Sequence, residues 1–143
     1  MGNIDELLKK GRLRQALCSV DMISKELNVG KTDLMSSQKS LDDKNYKWAI
    51  IQAYYSIFHA ARAMVYKAGF REESHTALKL AFKELYVDTE IVSVQTYYTL
   101  ERGMNLREMA DYKENYSQSS AENLIASVSK AIEEIGKIIN VAK

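Results

Sequence analysis

NYKWAIIQAYYSIFHAARAMVYKAGF, residues 45–70, is the stretch that decides the fold. It holds the only Trp, four of the nine Tyr, two of the three Phe and one of the two His. No Pro or Gly interrupts it before Gly69. A run this long and apolar, rich in Ala and closed by Gly, predicts one long helix. At about 100° per residue it has two unequal faces. Tyr46, Ala49, Ile50, Ala53, Ile57, Ala60, Ala61, Met64 and Ala68 form a stripe of mainly small and aliphatic residues that lets neighbouring helices approach closely. Trp48, Ile51, Tyr55, Phe58, His59, Arg62 and Tyr66 form the other side. A helix with two apolar faces needs partners on both, so the expectation is a bundle built around it.

Working outward, residues 20–41 repeat apolar side chains at helical spacing: Val20, Ile23, Leu27, Leu34 and Leu41. Gly30 and Ser37 share that seam, which predicts either one closely packed helix or two pieces broken near Gly30. Asp42–Asn45 is the turn into the central helix, with Asn45 its expected cap. On the far side, GFREES (69–74) reads as a loop and Ser74 as the cap of a helix over 77–86. Asp88 or Thr89 is the expected cap of a long helix from about Ile91 to Asp111 or Tyr112. Ser119 and Glu122 have capping-box spacing ahead of a last helix through Leu124, Val128, Ile132, Ile135 and Ile139. Residues 1–18 read as an arm with a short helix ending at Gly11, followed by a solvated, weakly ordered basic cluster of Lys9, Lys10, Arg12 and Arg14. The fold class is therefore all-α, an up-and-down four- or five-helix bundle forming one domain over 1–143.

Composition excludes several classes. The net charge of +1 gives no global field for nucleic acid or membrane, so any such site is local. One cysteine, Cys18, rules out a disulfide framework within one chain and points to a cytoplasmic protein. The start lacks the apolar core of a signal peptide, and the central stretch carries too many polar residues for a membrane span. There is no glycine-rich phosphate loop, GxSxG or HExxH. With one Cys and two separated His, neither a metal nor a cofactor is expected.

Three constellations remain. Tyr55, His59, Arg62 and Tyr66 recur at spacings of four, three and four, a pattern able to stack a base and bind a phosphate. The plainer reading is a buried aromatic layer whose His and Arg satisfy backbone or carboxylate partners. Arg107 and Asp111 lie four apart beside Leu100 and Met104. On a surface such a pair contributes only ~0.3–0.5 kcal/mol; facing inward, Arg107 has donors that Asp111 alone does not satisfy. The third is Phe70, Arg71 and His75 around the loop after the central helix.

WAIIQAYYSIFHAARAMVYKAGFREESH and LREMADY together resemble the HEPN family, the higher eukaryotes and prokaryotes nucleotide-binding domain, and are closest to its small stand-alone prokaryotic branch. The likeness runs from Leu7 through the last helix. It implies a helical bundle that dimerises through long helices. It also implies a toxin–antitoxin setting, often with a minimal nucleotidyltransferase partner, and in many members metal-independent ribonuclease activity. The family's nuclease motif is Arg, four to six residues, then His. Arg107 matches the Arg, but after four intervening residues Tyr112 stands where the His is expected, and no His follows His75. A Tyr, with pKa about 10, is a poor general acid or base at neutral pH.

The resulting expectation is a homodimeric binding module for a nucleotide, an RNA or a nucleotidyltransferase. Its ligand residues are Arg107, Asp111, Tyr112, Tyr55, His59, Arg62 and His75. No residue is assigned a catalytic role. The alternative is a ribonuclease toxin with a rearranged site in which Arg107 and His59 are the catalytic candidates.

Overall fold

The computed structural model describes residues 2–141. In chain order the elements are α1 (Gly2–Lys9), β1 (Leu13–Gln15), α2 (Val20–Asp42), α3 (Tyr46–Lys67), β2 (Phe70–Glu72), α4 (His75–Phe82), α5 (Val94–Tyr112) and α6 (Gln118–Val141). The long helices α2, α3, α5 and α6 make the up-and-down bundle, with α3 packed against each of the other three. Its Ala and Ile stripe is closed off from solvent: Ala49, Ile50, Ala53, Ile57, Ala60, Ala61 and Met64 are all at 0% exposure. The second face is also largely covered within the one chain, with Ile51, Phe58 and Tyr66 buried and Trp48 exposed.

Gly30 does not break α2. Here α2 lies close against α3: the Ser56 hydroxyl donates to the Gly30 carbonyl at 2.6 Å. A Cβ at this position would meet the Ser56 carbonyl oxygen at 2.8 Å. Of the two readings of this stretch, the unbroken, closely packed helix is the one found.

Several boundaries differ from expectation, each for a local reason. Asn45 stands at the N-cap of α3 but makes no side-chain cap bond. Ser74 does cap its helix, accepting from the Ala77 N–H at 3.0 Å. That helix starts at His75 and widens after Phe82 into a π-helical turn over Lys83–Val87. α5 begins later than expected, with Ser93 as its cap. Residues 88–93 instead turn back, with Glu90 at φ +64° and the Ile91 and Val92 N–H groups bonded to the Tyr86 carbonyl. Ser93 also donates through its N–H and its hydroxyl to Glu134 of α6. At the start of α6 it is the Ser117 hydroxyl, not Ser119, that accepts the Ser120 N–H.

The largest correction concerns residues 1–18 and 69–74. The expected loop contains a strand: β2 pairs antiparallel with β1, Leu13 opposite Glu72 and Gln15 opposite Phe70. Leu13 is 1% exposed and Ile4 3%. The Glu84 carboxylate accepts the Asn3 and Ile4 N–H groups at the start of α1, satisfying donors that a helix end leaves free. The basic arm is thus docked rather than loose. Arg14 pairs with Glu73 at 2.9 Å and Lys10 with Glu6 at 2.8 Å.

Candidate functional site

The site starts with Arg107, on the inner side of α5. Its side chain is mostly buried. Nη2 donates to the Tyr55 hydroxyl at 3.1 Å and lies 3.5 Å from Asp111 Oδ2. The guanidinium carbon is 5.5 Å from the centre of the Tyr55 ring and 5.2 Å from that of Tyr112, within cation–π range of both. Nε is buried and has no hydrogen-bond partner, a costly condition for a charged donor. Tyr112 itself is 69% exposed. Four sequence-predicted residues, Tyr55, Arg107, Asp111 and Tyr112, therefore come together between α3 and α5.

His75 joins them from α4. Its ring stacks on Phe58 at 4.4 Å and meets the Tyr55 ring edge-on at 6.2 Å. Its Nδ1 is 2.6 Å from the Tyr54 hydroxyl. Burial, then the Arg107 and Arg62 charges, hold the His75 pKa below the usual histidine value, with Glu72 opposing. Burial pushes the Tyr54 phenol well up. Sequence reasoning placed His75 in a loop with Phe70 and Arg71. The structure instead makes it the first residue of α4, against the aromatic face of α3, while Arg71 lies over the Tyr66 ring at 5.3 Å.

His59 and Arg62 go elsewhere. His59 Nδ1 is 3.2 Å from both Glu26 oxygens, and Nε2 is 3.8 Å from Asp33. Arg62 bonds Glu72 through Nε at 2.8 Å and Glu26 through Nη1 at 3.1 Å, and covers Phe58 at 4.6 Å. Burial alone would raise the Glu26 carboxyl, but hydrogen bonds from His59 and Arg62 hold it below its ordinary value. Asp33 is raised by burial despite His59. The structure does not bring His59 to Arg107. Their link is indirect, through the Tyr55 ring, whose centre is 6.4 Å from that of His59. The four-residue pattern on α3 thus splits: Tyr55 belongs to Arg107, and His59 and Arg62 belong to the carboxylates of α2 and β2.

Tyr54, the two carboxylates that hold Arg62 (Glu26 and Glu72), and Asp33 beside His59 escaped sequence reasoning. Only Tyr54 carried a signal, since a Tyr inside a run destined for burial needs a partner for its hydroxyl. The carboxylates sit 36 and 10 positions from Arg62, and nothing local marks them. Among the described residues no group of three or more His, Cys, Asp or Glu is placed to hold a metal ion. A groove of about 810 Å³ between α5 and α6, lined by Ile91, Tyr98, Arg102, Lys130 and Ile138 among others, contains none of the expected site residues.

The sequence is similar to those of known proteins. The chain is 23% identical over 114 residues to "Putative toxin MJ0605" of Methanocaldococcus jannaschii, a match covering 79% of this chain and 85% of that protein. It is 21% identical over 90 residues to "Putative toxin MJ0142" of the same organism, covering 63% and 61%. A family model for the HEPN domain matches residues 24–139, which take in α3, the Arg107 cluster and nearly all of α6. With most of its length matched and its helices arranged as an all-α bundle, the chain belongs to the HEPN domain family.

Proposed function

We propose that this chain is a toxin-associated HEPN binding module that grips a phosphate of RNA or of a nucleotide at Arg107, Tyr55 and Tyr112. The observation that carries the reading is Arg107 itself. It is a largely buried guanidinium whose Nε is closed to solvent and has no protein partner, flanked by two tyrosine rings of which one is exposed. A guanidinium offers a fixed fork of donors for phosphate oxygens, and an exposed ring beside it offers a face for a base. The toxin names of the relatives support the setting. A minimal nucleotidyltransferase is the partner we propose from the family resemblance, with Tyr112 the natural first contact because it stands outermost.

Binding is favoured over cleavage because Tyr112 occupies the place of the motif histidine, and His59 is turned to Glu26 and Asp33. The test is titration of a short single-stranded RNA oligonucleotide and of a mononucleotide. Arg107→Ala should weaken binding about ten- to a hundredfold, the loss expected when a charged hydrogen bond is removed. Its circular dichroism should stay that of wild type. Wild type should leave the RNA intact without metal. Metal-independent cleavage abolished by His59→Ala would replace this reading with the ribonuclease alternative.

A further inference from the structure

Among the described residues, His75 is the histidine without a carboxylate partner: its one hydrogen bond is to Tyr54. Which atom owns the hydrogen in that bond follows from Tyr54. Its side chain is 1% exposed, and its hydroxyl has no other hydrogen-bond partner. If Nδ1–H donated to it, the phenol hydrogen would be buried without an acceptor. If the phenol donates to Nδ1, no group in the pair is left unmet. Burial keeps the phenol protonated and able to donate. Nδ1 is therefore the acceptor, and the ring hydrogen sits on Nε2, which makes no hydrogen bond to any described residue.

Protonating this ring would place a second hydrogen against the phenol. It would also add a positive charge beside Arg107 and Arg62 and at the N-terminal end of α4, where the helix dipole is positive. The groups facing His75 are Tyr54, Tyr55 and Arg62 of α3, Glu72 of β2 and Arg107 of α5, and of these only the carboxylate favours the charged ring. Glu72 is already held by Arg62 at 2.7 Å.

We propose that His75 is a hydrogen-bond donor of the Arg107 site, its Nδ1 capped by Tyr54 and its Nε2–H directed to the phosphate that Arg107 binds. This rests on the phosphate-binding reading above and deepens it. Tyr54 is a positioning residue that selects the tautomer. The His75 imidazole is then a ligand contact and not a base, because its basic nitrogen is occupied before any ligand arrives. A chain with Tyr112 in place of the motif histidine thus keeps an anion site and lacks a free proton acceptor beside it.

The experiment is long-range ¹H–¹⁵N correlation on the full chain with ¹⁵N-labelled histidine, the His75 signals being identified by their loss in His75→Gln. The expected result near neutral pH is the Nε2–H tautomer, with the Nε2 resonance shifting when the RNA oligonucleotide is added. An Nδ1–H tautomer, or an Nε2 resonance that does not respond to bound RNA, overturns the inference. In binding titrations His75→Gln, which keeps a donor, should stay within about threefold of wild type, and His75→Phe should lose about tenfold. RNA binding weakened by Arg107→Ala but unchanged in His75→Phe overturns the inference and leaves the phosphate-binding reading standing. RNA that fails to bind, or binds equally well to Arg107→Ala, overturns that reading and the inference with it.

Discussion

Two histidines show how far context decides the role of a residue. His59 lies between Glu26 and Asp33, and His75 lies among aromatic rings and arginines. The second environment has a consequence for stability. The His75 pKa in the folded chain is below its ordinary value of 6.5, so as pH falls the unfolded chain takes up the proton first. The stability linked to this group is complete above about pH 6.5 and is lost as pH drops through the folded value. We predict that the urea midpoint falls between pH 7.5 and 5.5 and that His75→Gln reduces this fall. The depressed carboxyl of Glu26 acts in the same direction, but only as pH falls below its ordinary value of 4.5. A pH dependence identical in wild type and His75→Gln would show that the imidazole is not the group responsible.

Among the elements, α2 and α3 form a close seam, and Gly30 shows why. A methyl group there would overlap the Ser56 carbonyl oxygen, an atom of helix backbone that cannot swing aside. Gly30→Ala should therefore cost about 1–3 kcal/mol by overpacking, although Ala is the better helix former. A neutral result in a denaturant melt would mean that α2 can slide along α3. The docked arm makes the opposite kind of prediction. Leu13 belongs to the core by burial, so Leu13→Ala should cost about 2–5 kcal/mol. A loose arm would register almost nothing in the same melt.

For the whole molecule, α3 changes the case for a dimer. The family resemblance implies a dimer through long helices, and α3 is the long helix with two apolar faces. In the structure α2, α4, α5, α6 and β2 cover it, leaving Trp48 as its large exposed apolar side chain. Dimerisation is our proposal on different ground. Ile91, Val94 and Tyr98 are exposed at spacings of three and four around the start of α5, and Ile91 and Tyr98 also line the groove beside α6. Contiguous exposed apolar residues of this kind usually mark an interface, and a two-fold pair is the simplest closed assembly. Sedimentation at micromolar concentration should show a dimer that Val94→Glu dissociates. A wild-type monomer would remove the proposal. Among the described residues, no helix is long and apolar enough to cross a membrane.

Residues 45–70 determined α3, its burial and the all-α bundle by themselves, because helical periodicity and a Gly stop are local properties that need no knowledge of neighbours. The pairing of Arg107 with Asp111 was legible for the same reason, being one turn apart on one helix. Tertiary structure alone decided what else meets Arg107. Tyr55 arrives from 52 positions away, and His75 reaches the site because Ser74 starts α4 against α3. Glu26 and Glu72 drew His59 and Arg62 out of the pattern they make in sequence, since a buried charge goes to whichever opposite charge the fold brings within reach. The β1–β2 pairing was hidden for a related reason: three-residue strands carry too little period to read, and their partners lie more than fifty positions apart in the chain.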